Sequence, residues 1–208
     1  MSNDILSVRD IFKSFPLPNG QKLEVLKGAS FEISKGESLA IMGVSGSGKT
    51  TLLHIAAGID IADSGFVKTG RIGLIFQAHY LLPEFDCREN VSIAARIQGI
   101  DKNSADVRAE RILQEVGLGE RMWHLPSELS GGETARVAIA RALAIEPEVI
   151  LADEPTGNLD EKTSENVKNL LFELVKRHNT ALVIVTHDST LSSRADRTLH
   201  LNHGILIR

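Results

Sequence analysis

The run Gly43, Val44, Ser45, Gly46, Ser47, Gly48, Lys49, Thr50, followed by Thr51, sets three glycines ahead of a lysine and a threonine pair. Glycines let a backbone bend until several N–H groups converge on one anion, and a helix starting there adds its positive end. An ammonium at Lys49 can reach the outer phosphates of a nucleotide, and the Thr50 hydroxyl is a ligand for Mg2+. The chemistry expected of residues 43–51 is therefore the cradling of nucleotide phosphates. This spacing alone does not choose among kinases, GTPases and transport ATPases.

Two adjacent carboxylates close the apolar run VILADEP at 149–155. Successive side chains on an extended segment point to different sides, so the two can have different tasks. Asp153 is placed to hold Mg2+ directly or through its water, and Glu154 to orient or deprotonate an attacking water. His187 follows the run ALVIVT as Glu154 follows VILAD, so parallel strands would bring both to one edge. A histidine in that place can hydrogen-bond a terminal phosphate or the water; taken alone, it is more often a plain surface residue. Gln77 follows Ile72 to Phe76 in the same manner and could give its amide oxygen to Mg2+. Ser130, Gly131 and Gly132 open a helix rich in Ala, Val and Arg, which makes a second anion site. With one phosphate loop in the chain, that second site needs either its own nucleotide or the nucleotide of another subunit.

These residues must be positioned by a sheet. Leu39–Met42, Ile72–Phe76, Val149–Ala152 and Ala181–Val185 are apolar without polar alternation, as strands buried on both faces are. Helical segments are expected near 49–57, 107–116, 132–144 and 163–177, so strand and helix alternate. Alternation of this kind predicts an α/β fold with a mostly parallel core sheet and ligands beyond the carboxyl ends of its strands. Short runs at Ile5–Val8, Val25–Leu26 and Phe31–Ile33 predict a small antiparallel β lobe. Residues 85–140 read as a helical subdomain inserted in a single domain of residues 1–208, and the closing segment as a strand pair turning at Asn202 to Gly204.

Composition narrows the partners. A formal charge of -4 does not suggest a broad basic surface, so no nucleic acid is expected. Cys87 is the single cysteine, which forbids an internal disulfide and a Cys-rich zinc site. The apolar runs are too short to cross a bilayer, and the first ten residues lack the pattern of a leader.

Taken together, LSGGE at 129–133, GVSGSGKT at 43–50 and VILADE at 149–154 resemble the ABC transporter ATPases over essentially the whole chain. Gln77 falls at that family's Q-loop, Asn158, Leu159 and Asp160 at its D-loop, and His187 at its switch histidine; Phe15 stands where the family usually stacks a tyrosine on adenine. The segments HYLLPEF, HLPSELSGGE and ADEPTGNLD are most similar to the branch that includes lipoprotein-releasing and macrolide-exporting systems. The resemblance implies hydrolysis of ATP with Mg2+ (ligands Thr50, Gln77 and Asp153), catalysis by Glu154, His187 and Gln77, and ATP contacts from Phe15 and residues 43–51.

It further implies a head-to-tail pair of copies in which Ser130, Gly131 and Gly132 act in trans and Asp160 communicates between them. Separate transmembrane subunits would hold the chain at the cytoplasmic face of the inner membrane, with Tyr80, Leu81, Leu82 and Phe85 as candidate anchors. The competing readings are a related export or division ATPase, and a soluble ABC-type ATPase without a membrane partner. Three departures stand out. Lys49 and Gln77 are closer than the family norm, which predicts a trimmed antiparallel lobe. Ala135 and Glu133 replace glutamines common in the signature helix, and neither is expected to touch Ser130 or Gly132.

Overall fold

The computed structural model describes residues 4–207. Two long strands, β1 (Asp4–Pro16) and β2 (Lys22–Ser34), form an antiparallel hairpin where three short runs were expected. Register shifts along β1 absorb the polar interruptions at residues 9–10 that make the pattern look broken in sequence. Next come β3 (Ser38–Met42), α1 (Lys49–Ala56), β4 (Ser64–Thr69) and β5 (Ile72–Ile75). Of the segment between Lys49 and Gln77, only β4 joins the lobe, completing a three-stranded sheet in the order β2-β1-β4.

The helical region holds α2 (Cys87–Ile97), α3 (Lys102–Glu115) and α4 (Gly131–Leu143). Helix α3 begins five residues before the expected Val107 because Asp101 accepts the backbone N–H of Ser104, a cap that outweighs the polar first turn. Then follow β6 (Val149–Asp153), α5 (Glu161–Arg177), β7 (Ala181–Thr186), α6 (Ser189–Ser192), β8 (Arg197–Asn202) and β9 (Ile205–Ile207).

The second sheet has the order β5-β6-β7-β3-β8-β9, parallel except for the last pair, which turns at His203 and Gly204 as expected of the closing segment. Its central strands feed two cores. On β6 and β7, Ile150, Ala152, Leu182 and Ile184 face the helices α2–α5. Their neighbours Val149, Leu151, Ala181, Val183 and Val185 face α1 and the antiparallel lobe. Alternate residues are thus apolar for opposite partners, and the unbroken apolar runs follow from that. Each fully buried Leu or Ile contributes about 1.5–3 kcal/mol relative to exposure.

The strand that leads into the glycine loop is anchored at its start. Asp196, ahead of β8, accepts the backbone N–H of Ser38 at 2.8 Å and its hydroxyl at 2.7 Å, while Ser38 Oγ accepts the N–H of Asp196. The hydroxyl and then the N–H of Ser38 hold the Asp196 carboxyl below its ordinary 3.8. A depressed carboxyl stabilises the fold fully above that ordinary value and loses its contribution as pH falls through the lower, folded one. Asp196→Ala is therefore expected to cost about 1 kcal/mol at neutral pH, at the modest end because the side chain is exposed. In urea titrations the gap to the wild-type chain should close below about pH 4; a gap independent of pH would contradict this role for the carboxylate.

Candidate nucleotide site

At the carboxyl end of β3 the chain makes the glycine loop and enters α1, whose N-cap is Gly48 with φ of 101°. A side chain is excluded there twice over. The conformation is left-handed, and a Cβ would lie 2.8 Å from Val25 Cγ1 on β2. Lys49 is buried, and its ammonium donates to the carbonyls of Gly43 and Val44 at 2.8 and 3.1 Å. It is held over the loop by neutral acceptors, with no carboxylate neutralising it among its hydrogen-bond partners. Ser47 Oγ is buried without a hydrogen-bond partner among the described residues. A buried hydroxyl without a partner inside a loop of flexible glycines suits an anionic acceptor.

A cleft of about 660 Å3 opens above this loop and is lined by Val25, Val44, Ser45, Gly46, Gly48, Lys49, Thr50, Thr51, Gln77, Asp153, Glu154 and His187. Every charged or amide residue expected at the phosphates is thus in one place. Gly43 and Ser47 are not among its lining residues and pack on each other: a Cβ on Gly43 would meet Ser47 Oγ at 2.5 Å. Phe15 does not line this cleft; it sits on the same hairpin, opposite Leu23, with the Lys13 ammonium 5.0 Å from its ring centroid.

Thr50, Gln77 and Asp153, the expected Mg2+ ligands, also converge on a side recess with His54. Burial pushes the Asp153 carboxyl upward, while a hydrogen bond with Thr50 pulls it back. A carboxylate that is costly to ionise when alone is suited to a cation, and Mg2+ typically takes one or two carboxylates plus water and phosphate oxygens. The donor set fits. His54 was not expected; it lies one helical turn after Thr50, and that i, i+4 spacing is the signal that could have found it.

Parallel pairing of β6 and β7 sets Asp153 beside Val185. The next residue, Glu154, takes a left-handed backbone with φ of 43° and donates its N–H to Val185 O. Its carboxylate accepts the Thr186 hydroxyl at 2.9 Å, the His187 N–H at 2.9 Å and contacts His187 Nδ1 at 2.6 Å. A non-glycine residue in that conformation costs of order 1 kcal/mol, and here three contacts from one segment hold it. Thr186 was missed in the sequence because it reads as the last residue of an apolar strand.

The glutamine segment is fixed from the signature helix. Arg141 on α4 donates to the carbonyls of His79 and Tyr80, both of which have positive φ, and Asn158 donates to Gln77 O. Tyr80 and Leu82 are exposed there, whereas Leu81 packs on the core and Phe85 is half-buried.

Ser130 caps α4, and it and Gly132 line a separate cavity of about 510 Å3 that shares no residue with the phosphate cleft. Gly131 is exposed beside them. One expectation fails at this point. Glu133 touches Ser130 directly: its carboxylate accepts the Ser130 N–H at 2.8 Å and hydroxyl at 2.7 Å. The i, i+3 spacing of serine and glutamate makes a capping box, a local pattern that a comparison of motifs alone overlooks. Those two donors, the N–H first, hold the Glu133 carboxyl below its ordinary range. Asp160 caps α5 through the N–H of Thr163 and is exposed.

Comparison with known proteins agrees with this geometry. The family profile described as ABC transporter matches residues 26–157. The lipoprotein-releasing system ATP-binding protein LolD of Syntrophus aciditrophicus is 44% identical over 221 aligned positions, covering 98% of this chain and 99% of that relative. The protein of the same name from Shewanella oneidensis is 45% identical over 224 positions, covering 99% and 97%. Among solved structures, the ATP-binding cassette MJ0796, a dimer in a post-hydrolysis state with ADP and Pi, superposes with a TM-score of 0.87 at 32% identity, covering 98% of this chain and 97% of that one. By the matched profile, by full-length relatives and by its fold, the chain belongs to the ABC transporter family, as an ATP-hydrolysing nucleotide-binding subunit.

Proposed function

We propose that two copies of this chain bind ATP between them, each ATP held by residues 43–51 of one copy and by Ser130, Gly131 and Gly132 of the other, and that the cycle drives lipoprotein release through separate membrane subunits. The observation that carries the shared site is the separation, within one protomer, of the phosphate cleft from the cavity at the start of α4. A second phosphate reader with no phosphate loop beside it needs a loop from elsewhere. The dimeric state of the cassette MJ0796 supports the same arrangement.

In this reading Lys49 and the loop N–H groups bind the β- and γ-phosphates, and Phe15 offers a ring face to adenine. Thr50, Asp153 and Gln77 would hold Mg2+, which when bound neutralises charge on the β- and γ-phosphates. Glu154 orients or deprotonates the attacking water. Its bonds to Thr186 and His187 set where the carboxylate points, and His187 keeps Nε2 for a phosphate oxygen while Nδ1 engages Glu154.

Closure is reversible. Shifting an open-closed equilibrium from 1:99 to 99:1 takes about 5.5 kcal/mol of differential binding. Charge-assisted hydrogen bonds of about 1.5–3 kcal/mol each supply that with two or three contacts made only when closed.

No helix among the described residues is long and apolar enough to cross a membrane; in this reading the work of closure passes to separate membrane subunits. Exposed Tyr80 and Leu82, next to Gln77, are where such subunits would rest, at the cytoplasmic face of the inner membrane. The cargo assignment rests on relatives named for lipoprotein release.

Glu154→Gln should still bind ATP, lower phosphate release about a hundredfold or more, and accumulate a dimer in sizing experiments with ATP; ordinary phosphate release would remove Glu154 from this role. Ser130→Arg should leave ATP binding to the protomer unchanged and abolish the ATP-dependent dimer. An unaltered dimer peak would count against the shared site. In cells, replacing the chain by its Glu154→Gln form should leave lipoproteins in the inner-membrane fraction, and their normal sorting would exclude this cargo.

A further inference from the structure

A third cavity, of about 560 Å3, lies beside the phosphate cleft, and the two share only Glu154 and His187 among their linings. The hydrolytic pair is therefore a partition. On the far side, Lys168 of α5 is buried, with its side chain 5% exposed. Its ammonium meets Asp188 Oδ2 at 2.5 Å and donates to Thr190 Oγ1 at 2.8 Å and Glu165 Oε1 at 3.2 Å. Burial opposes the charge on Asp188, yet the bonds from Lys168 and Thr190 outweigh it and bring the carboxyl down to about 2. The pair is charged and locked at neutral pH.

What it locks is the segment that holds Glu154. Asp188 is the N-cap of α6, accepting the N–H groups of Thr190 and Leu191, and its own N–H donates to Thr186 Oγ1. The Thr186 hydroxyl in turn donates to Glu154 Oε2, and the His187 N–H donates to Glu154 Oε1. The ring of His187 is 71% exposed, so packing does not fix it. Its backbone is fixed by Thr186 and Asp188 on either side. Only two hydrogen bonds separate the Asp188 carboxylate, held by Lys168, from the Glu154 carboxylate along this route.

We infer that Lys168 is a positioning residue for ATP hydrolysis: it ties α5 to the 186–188 segment and so sets the aim of Glu154 and His187. This rests on the role proposed for Glu154. The N-cap of α5 is Asp160, the residue proposed to communicate between copies, and Lys168 is eight residues further on, about 12 Å along the axis. Lys168 is thus where a shift of that helix is delivered to the hydrolytic carboxylate.

The test is ATP hydrolysis by the purified full chain, with ATP affinity and thermal midpoint measured separately. Lys168→Met is expected to lower kcat about tenfold to a hundredfold, as a misplacement near 1 Å does, with KM for ATP and ATP affinity changed less than about threefold. Lys168→Arg, which can reach the same carboxylates, should recover most of the rate. Because Lys168→Met leaves the half-buried Asp188 carboxylate without its ion-pair partner while Glu165 keeps Arg194, the double variant Lys168→Met with Asp188→Asn provides a form without that penalty, and its kcat should remain low. Unchanged kcat in the double variant, or kcat, ATP affinity and thermal midpoint falling in parallel with no recovery in Lys168→Arg, overturns the inference. Glu154→Gln is run alongside. If that variant turns over normally the role of Glu154 fails, whereas an inactive Glu154→Gln beside a fully active Lys168→Met sinks the Lys168 inference alone.

Discussion

Parallel register between β6 and β7 is the constraint on which the rest of the site depends. Because Asp153 pairs with Val185, Glu154 on one strand and Thr186 and His187 on the other follow side by side. One carboxylate stays at the strand end, buried next to Thr50; the other turns through a left-handed residue and closes on Thr186 and His187. A slip of one residue would exchange the two faces of the strand, placing Ile150 and Ala152 against α1 and Val149 and Leu151 against the helices. Core packing on both faces therefore enforces the chemistry at the edge.

The same strands bring unlike electrostatic environments within a few residues. Lys49 is buried over carbonyls, Asp153 is desolvated, and Ser47 Oγ has no hydrogen-bond partner among the described residues. Each is unfavourable for the isolated fold, and each would be relieved by the phosphate or cation proposed to bind there. Lys168 shows the opposite condition, a buried ammonium already satisfied by Asp188, Glu165 and Thr190. Unsatisfied groups gather where a ligand arrives, and satisfied ones where the frame must not move.

Much of this was legible before any coordinates. Strands buried on both faces announce themselves by unbroken apolar runs, and the polar residues at their ends follow from the topology of such sheets. Less legible was whatever depends on side chains meeting across elements. Lys168 reads as one more charge on an amphipathic helix, and nothing local marks its pairing with Asp188, twenty positions later. Arg141, which fixes the segment after Gln77, is similarly anonymous in the signature helix. The long β1–β2 hairpin was fragmented in the sequence because half of its length faces solvent and carries polar residues. Glu133 is legible by a different pattern from the family motif: its i, i+3 spacing from Ser130 is a capping spacing, and the structure closes that box.

That capping box gives the protomer a kind of deafness to small anions. Both donors of Ser130 are already spent on an internal carboxylate, steadied by Arg121 at 3.5 Å. A free phosphate ion arriving at the start of α4 would have to displace that carboxylate and sit beside its charge, with little else to hold it. A phosphate presented on another protein surface faces the same displacement, but a large area of contact behind it can offset that cost. In the proposed shared site, the box would work as a noise filter, one that favours a nucleotide delivered by a partner over the anions of the surrounding solution.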